Sequence, residues 1–151
     1  MAKDYNFVTS RIAVGGSIDS LFDARKIASD GITHVLNVRT SQDEVPFIQK
    51  AGMSYASNPT KDEDTKKKPT SWFRQSADII SGALAQQSAK VLVHCQGGMN
   101  RSPASIYFFL RSLGLKKDLV TQLIVDARPQ AKTMDYLDDA EDALNELGFK
   151  G

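Results

Sequence analysis

The sequence predicts a single α/β domain in which a mostly parallel, twisted sheet of about five strands carries helices on both faces. Short apolar runs alternate with longer segments in which apolar residues recur every three or four positions, as expected for strands joined by helices. A chain of 151 residues suits one domain with one core, and we expect that domain to span residues 1–151. In the middle of the chain, an apolar run, a turn with two glycines and a helical segment follow one another directly.

The first half of the chain supplies four of the predicted strands. They are Phe7–Ser10, Ile12–Gly16, Ile32–Val38 and Met53–Ala56. The first two are expected to form an edge hairpin. A helix capped by Ser17 or Asp19 and ending near Ser29 should follow the second strand, and a short helix over Asp43–Lys50 should follow the third.

The second half begins with a polar, charged loop over residues 58–69 and continues with helices. The predicted helices are Pro69–Gln87, capped by Thr70 or Ser71; a segment from Pro103 to Gly114; Leu119–Ala127, capped by Asp118; and a last amphipathic helix starting at Thr133. The fifth strand, Lys90–Val93, lies between the first two of these helices. Trp72 is interpreted as a core or cleft residue.

Composition excludes several function classes. The net charge is +1 and no apolar run approaches the roughly 18–20 residues of a membrane span, so we expect neither a nucleic-acid surface nor a membrane partner. The start of the chain has no apolar signal core, and the one cysteine cannot form an internal disulfide, so a cytoplasmic protein is expected. No spacing of residues suggests a metal site, and no cofactor is expected.

The stretch from His94 to Ser102 carries the chemistry. A strand ends, the chain turns through Gly97 and Gly98, and a helix begins, which gathers backbone N–H groups and a helix N-terminus around one point suited to an anion. The same features lower the pKa of a thiol, so Cys95 is a candidate thiolate nucleophile. Arg101 can hold two oxygens of a phosphoryl group in a bidentate fork.

The spacing His-Cys-x-x-Gly-x-x-Arg-Ser resembles the signature of the cysteine-dependent protein tyrosine phosphatases, in the form found in the dual-specificity branch. Ile12–Gly16 and the segment from Gly31 to Val38 resemble early strands of the same family, so the resemblance covers nearly the whole chain. Low-molecular-weight phosphatases place this spacing near the N-terminus. Rhodanese-type sulfurtransferases usually have a shorter loop.

The resemblance implies a role for each residue of the loop. Cys95 would be the nucleophile, Arg101 would bind and stabilise the transferred phosphoryl group, and Ser102 would assist breakdown of the phosphocysteine. His94 would be a structural neighbour that helps set the pKa of the thiolate, and it would not act as a base. The phosphate-binding residues would be Gln96, Gly97, Gly98, Met99, Asn100 and Arg101. The motif Arg128-Pro129 matches a helix end of the family in which the arginine is more often structural than catalytic.

The resemblance also implies a general acid, an aspartate on a loop about thirty residues before the cysteine. Asp64 lies 31 residues before Cys95 and is favoured, because the Ser-aromatic-Phe segment that follows it resembles the family. Asp62 and Glu63, 33 and 32 residues before the cysteine, stay open as alternatives. Such an acid is needed because an alkoxide or phenolate leaving group requires a proton.

The expected activity is hydrolysis of phosphomonoesters on phosphotyrosine and phosphoserine or phosphothreonine proteins, in two steps through a phosphocysteine. Two alternatives stay open. One is a non-protein substrate, either an RNA 5′-phosphate, suggested by Asn100 before the loop arginine, or a phospholipid, disfavoured by the absence of lysine in the loop. The other is a phosphoresidue-binding module without turnover. The sequence predicts no particular oligomeric state.

Overall fold

A five-stranded sheet runs through the part of the chain that the computed structural model describes, which is residues 4–60, 67–97, 100–133 and 136–149. The strands are β1 (Tyr5–Phe7), β2 (Ile12–Gly15), β3 (His34–Asn37), β4 (Ser54–Ser57) and β5 (Val91–His94). The helices are α1 (Leu21–Ser29), α2 (Val45–Lys50), α3 (Thr70–Leu84), α4 (Arg101–Ser112), α5 (Lys117–Ala127) and α6 (Leu137–Glu146), with a 3₁₀ helix at Pro129–Thr133. The predicted single α/β domain and mostly parallel sheet are confirmed.

The strand order is β1-β2-β5-β3-β4. Strand β5 lies in the centre and runs parallel to both neighbours, while β1 forms an antiparallel edge hairpin with β2. The chain goes from β2 through α1 to β3 and leaves a gap that β5 later fills, so the strand order changes direction at β5. In open α/β sheets, ligands bind beyond the carboxyl ends of the strands at such a point. Cys95 is the first residue after β5.

Helices cover both faces of the sheet, as predicted. The larger apolar cluster lies on the face with α3, α4, α5 and α6, where the rings of Phe73 and Phe108 stack with centroids 5.4 Å apart. The smaller cluster lies on the face with α1 and α2 and includes Ile27 and Ile48. Apolar residues at helical spacing therefore produce two buried layers, and the central strand β5 is buried along its whole length.

Helix α4 is buried from Arg101 to Arg111, although four of its residues there are polar or charged. Its second half is tied to α6, since Arg111 donates to both carboxylate oxygens of Glu141 at 2.9 Å. Tyr107 donates to the same carboxylate at 2.5 Å. A helix held this way cannot shift easily, so the loop between β5 and α4 is anchored at both ends.

Several predicted boundaries and caps are wrong for identifiable reasons. Strand β1 ends at Phe7 rather than Ser10, because Thr9 Oγ1 accepts hydrogen bonds from the backbone N–H groups of Arg11 and Ile12 and forms the hairpin turn. Helix α3 ends at Leu84 rather than Gln87, where the Arg11 guanidinium binds the carbonyls of Leu84 and Gln86.

The helix caps also differ from expectation. Ser20, rather than Ser17 or Asp19, caps α1 by accepting from the N–H of Asp23 at 3.1 Å. The residues preceding α3 and α5 make no side-chain cap, so the predicted caps on Thr70, Ser71 and Asp118 are wrong. Thr133 ends a 3₁₀ helix, and α6 begins at Leu137.

Candidate active site

The loop after β5 is held against the end of β2 by backbone contacts. The N–H of Cys95 donates to Gly15 O at 3.2 Å, and the N–H of Ser17 donates to Gln96 O at 3.0 Å. A Cβ on Gly16 would lie 2.1 Å from Asp4 Oδ2 and 3.0 Å from Gln96 O. A larger residue would have to displace the Asp4 carboxylate and would press on the Gln96 carbonyl, so glycine allows the two segments to pass closely.

Cys95 is buried at the base of this loop, with Sγ 3.3 Å from Ser102 Oγ. The same hydroxyl lies 3.3 Å from Gly15 O. A hydroxyl has one proton, so it can donate to the carbonyl while the sulfur is a thiol and to the sulfur when it is a thiolate. The structure thus brings Cys95 and Ser102 within hydrogen-bonding distance of each other.

Arg101 is the first residue of α4, and its side chain is fixed at one nitrogen. Its Nη1 donates to the backbone carbonyl of Thr60 at 2.8 Å. Its Nε is buried and has no hydrogen-bond partner among the described residues. A guanidinium presents its donors in a rigid plane, so an anchor at Nη1 leaves the edge formed by Nε and Nη2 for a bidentate anion.

The structure describes some of the other predicted phosphate-binding residues. Gln96 and Gly97 are exposed, as a loop facing solvent requires. Asn100 is half-buried, and its Oδ1 has no hydrogen-bond partner in the described part of the chain. Gly98 and Met99 lie outside the described residues.

All three candidates for the general acid, Asp62, Glu63 and Asp64, also lie outside the described residues. The segment before them is tied to the site at Thr60, which binds Arg101 through its carbonyl and Val38 O through its N–H at 3.0 Å. Asn58 holds the same segment by donating to Trp72 O at 2.8 Å, and the Trp72 indole returns a bond to Asn58 O. Trp72 is therefore a core residue that supports the loop, as predicted.

His94 has a buried carboxylate beside it that sequence reasoning missed. Its Nε2 lies 3.0 Å from Glu44 Oε2, and both side chains are fully buried. Burial by itself raises the pKa of Glu44. The hydrogen bond to His94, the charge of His94, a backbone hydrogen bond and the charge of Arg39 together outweigh burial and hold this pKa below its ordinary value.

Arg39 also bridges to the loop. Its Nη1 donates to Gln96 Oε1 at 2.7 Å, while Nη2 donates to Asp43 Oδ1 at 2.8 Å and approaches Glu44 Oε2 at 3.5 Å. The signal that could have indicated this cluster is the position of Asn37 and Arg39 at the carboxyl end of β3, beside that of β5. Polar residues at that edge of a parallel sheet commonly belong to the site.

Arg128 binds the other side of the loop, and its contacts agree with the structural role predicted for it. It is buried and donates to Gly97 O at 2.9 Å, to Asp4 Oδ1 at 2.6 Å and to Asn6 Oδ1 at 3.0 Å. It therefore connects the end of α5, strand β1 and the loop.

The described residues hold neither a cluster of metal ligands nor a membrane-spanning helix. They contain no group of three or more histidine, cysteine or acidic side chains arranged to hold a metal ion. Their helices are all too short or too polar to cross a bilayer.

Comparison with known proteins places this site in a family. The family described as "Dual specificity phosphatase, catalytic domain" matches residues 16–137. Dual specificity protein phosphatase 26 of Homo sapiens is 31% identical over 102 residues, which cover 63% of this chain and 46% of that protein. The protein of the same name from Rattus norvegicus gives the same identity and coverage. This chain thus matches less than half the length of these curated relatives.

Solved structures share the fold. A mouse putative dual specificity phosphatase superposes with a TM-score of 0.80 at 20% identity, covering 97% of this chain and 90% of that one. Human DUSP28 superposes with a TM-score of 0.79 at 20% identity, covering 97% of both chains. The family match spans most of the chain and contains both the cysteine and the arginine of the loop. The chain belongs to the dual specificity phosphatase catalytic-domain family.

Proposed function

We propose that this protein hydrolyses phosphomonoesters on phosphotyrosine and on phosphoserine or phosphothreonine residues of proteins, through a phosphocysteine on Cys95. The observation that carries the proposal is the arrangement at the start of α4. The buried sulfur of Cys95 lies 3.3 Å from the hydroxyl of Ser102. The residue before that serine, Arg101, is anchored at Nη1 and has a buried Nε without a partner among the described residues. A phosphoryl dianion supplies the acceptor oxygens that this arrangement lacks.

In the first step, the Cys95 thiolate attacks phosphorus, and the bond from phosphorus to the leaving oxygen breaks. Asp64 donates a proton to that oxygen, so an alcohol or phenol departs. Arg101 and the backbone N–H groups of the loop over residues 96–101 bind the equatorial oxygens. The guanidinium charge and the N–H dipoles stabilise the negative charge that develops in the transition state.

In the second step, water attacks the phosphocysteine and the sulfur–phosphorus bond breaks. The Asp64 carboxylate takes a proton from the water, and inorganic phosphate is released. The Ser102 hydroxyl donates to the departing sulfur, which its 3.3 Å distance to Sγ supports.

The first test is turnover of a small aryl phosphate. Cys95→Ser is expected to abolish turnover while retaining phosphate binding, and unchanged activity would remove the mechanism.

Ser102→Ala should slow the second step, so a burst of aryl alcohol precedes a slow steady state. Ser105→Ala is the matched control, since the one partner of this buried hydroxyl of α4 among the described residues is the Arg101 carbonyl, at 3.1 Å. A burst in both variants, or in neither, would contradict the role of Ser102.

The general acid is tested with a substrate that has a poor leaving group. Asp64→Asn should lower the rate of alkyl phosphate hydrolysis by about 10²- to 10⁴-fold, and much less with an aryl phosphate whose leaving group needs no proton. Asp62→Asn is the parallel variant. A large loss in that variant alone would assign the role to Asp62.

The substrate class is tested by direct comparison. Phosphate release should be faster from phosphotyrosine and phosphothreonine peptides than from RNA bearing a 5′-triphosphate. The opposite ranking would favour an RNA 5′-phosphatase, and phosphopeptide binding without release would favour a binding module. We also propose that the catalytic domain spans residues 1–151 and works in the cytoplasm, where the thiol stays reduced.

A further inference from the structure

A groove in the helical layer lies at the far end of α4 from the phosphate loop. It has a volume of about 400 Å³ and is lined by α3, by the second half of α4 and by the residues that follow α6. Helix α4 begins at Arg101 in the site and reaches the groove at Ser112, roughly 16 Å away along the helix axis. We propose that this groove is a two-fold interface with a second copy of the same chain, formed around α3.

The first support is the apolar surface that the groove exposes. Leu113 and Phe149 line it and are 63% and 41% exposed. In the part of the chain that the structure describes, the other large apolar residues that are exposed are Phe22 and Leu119, and neither lines the groove. Apolar surface gathered in one concave place, with charged residues beside it, is typical of a protein interface.

The second support is a stripe of α3 that forms one wall of the groove and carries both signs of charge. Its members recur at helical spacing, and they are Arg74, Ala77, Asp78 and Ser81. Arg74 and Asp78 are exposed, and neither side chain has a hydrogen bond or an ion pair within the described residues. A base four residues before an acid is also the weaker order for a pair within one helix. Both charges are therefore available to a partner.

A second copy of α3 supplies the complementary charges. When two identical helices pack antiparallel about a two-fold axis that passes between residues 74 and 78, Arg74 of each copy lies opposite Asp78 of the other. The small side chain of Ala77 lies near that axis and lets the two helices approach closely. A partner surface with one sign of charge would pair with one of the two groups and repel the other. The charges therefore favour a second copy of this chain as the occupant of the groove.

The first measurement is the mass of the wild-type protein in solution. Sedimentation equilibrium over a range of protein concentrations should show a reversible change from the mass of one chain to twice that mass. A single chain at every concentration up to about 1 mM would overturn the proposal, and the groove would then belong to a different protein partner.

The second measurement tests which residues meet across the axis. Arg74→Asp and Asp78→Arg each place like charges opposite each other at two symmetric contacts, so each should raise the dissociation constant of the dimer at least about tenfold. An equimolar mixture of the two variants should restore the dimer, because one variant then presents two acidic groups and the other presents two basic groups. The double variant Arg74→Asp/Asp78→Arg should dimerise by itself for the same reason. Unchanged dimers in the single variants, or no restoration in the mixture or in the double variant, would overturn the two-fold contact.

Arg25→Asp is the matched control for the charge variants. Arg25 is exposed on α1 and does not line the groove, and this substitution changes the net charge by the same amount as Arg74→Asp. Its dissociation constant should equal that of the wild type. An equal loss in Arg25→Asp and Arg74→Asp would mean that net charge, and not the stripe on α3, controls association, which would overturn the proposal.

The apolar part of the interface is tested with a second matched pair. Leu113→Asp places a charge in the groove and should raise the dissociation constant at least about tenfold, because the charge would lose its hydration in the dimer. Leu119→Asp makes the same change on α5, outside the groove, at a residue that is 48% exposed, and should have no effect. Equal behaviour of the two variants would overturn the assignment of the groove. Circular dichroism checks that each variant folds, and none of these readouts involves turnover, so they test the interface separately from the proposed function.

Discussion

Two arginines hold the phosphate loop, and they do so in different electrical surroundings. Arg39 binds the side chain of Gln96 at 2.7 Å, and Arg128 binds the carbonyl of Gly97 at 2.9 Å. Both arginines are buried, yet the Arg39 cluster contains the fully buried Glu44, whereas Asp4, the carboxylate bound by Arg128, is 54% exposed.

The two clusters differ in whether water can reach the charges that remain when one partner is removed. If Arg128 is removed, water can hydrate the exposed Asp4 carboxylate, so that carboxylate loses little stabilisation. If a member of the Arg39 cluster is removed, the charges that stay behind are out of reach of solvent, and their desolvation is uncompensated. The two groups of contacts, which we call the Arg39 clamp and the Arg128 clamp, therefore differ in kind. The Arg39 clamp includes a fully buried carboxylate, and the Arg128 clamp connects the loop to β1 and α5.

The largest effect on stability should follow from breaking the buried cluster. Glu44→Ala leaves Arg39 and His94 without their shared carboxylate and should lower the free energy of unfolding by about 3–5 kcal/mol. Chemical denaturation of the purified variant measures this. A loss below about 1 kcal/mol would mean that water enters the cluster, and the contrast between the two clamps would disappear.

The second largest effect on stability should come from substituting Arg128 in the second clamp. Arg128→Met removes the hydrogen bonds to Gly97, Asp4 and Asn6 but keeps an unbranched buried chain. It should cost about 2–3 kcal/mol of unfolding free energy, because hydrogen bonds to charged groups are the stronger ones. Arg128→Lys should recover only part of this loss, since an ammonium cannot span the same acceptors. Arg25→Ala, on the exposed face of α1, is the control and should change stability by less than about 0.5 kcal/mol. A full rescue by lysine would show that charge alone matters at this position.

These two clamps also mark the limit of what the sequence alone could predict. The loop was predictable because strand, turn and helix are contiguous, so the spacing from Cys95 to Arg101 already determines which groups meet. The pair of Glu44 and His94 was not predictable, because it depends on β5 inserting beside β3, and periodicity does not give the order of strands in a sheet. Arg128 could be placed at a helix end by resemblance, but its bond to Asp4 joins residues that are 124 positions apart.

The helix caps failed for a related reason. Thr70 and Asp118 are good capping residues by type, yet neither caps its helix. Thr70 instead binds Glu146 of α6, a tertiary contact that outweighs the local preference. Local signals thus located the helices and the site, while the polar contacts between elements required the fold.

A smaller effect concerns the free energy of unfolding at low pH. Glu44 has a pKa below its ordinary value of about 4.5 in the folded protein, so its contribution to stability is fully present above that value and is lost as the pH falls through the folded pKa. One such group contributes a slope of at most about 1.4 kcal/mol per pH unit. The free energy of unfolding, measured by urea titration from pH 6 downward, should fall less steeply below pH 4.5 in Glu44→Gln than in the wild type. Parallel curves would show that Glu44 binds its proton equally in the folded and unfolded states.

The smallest effect should come from substituting Asp4, the exposed partner of Arg128 in the second clamp. Asp4→Asn removes the charge that binds Arg128 at 2.6 Å and leaves the Gly97 and Asn6 contacts in place. Partly exposed ion pairs contribute about 0–1 kcal/mol, because water competes for both partners. The free energy of unfolding, measured by chemical denaturation, should therefore fall by less than about 1 kcal/mol. If Asp4→Asn cost as much stability as Glu44→Ala, the exposed carboxylate would matter as much as the buried one, and the contrast between the two clamps would be wrong.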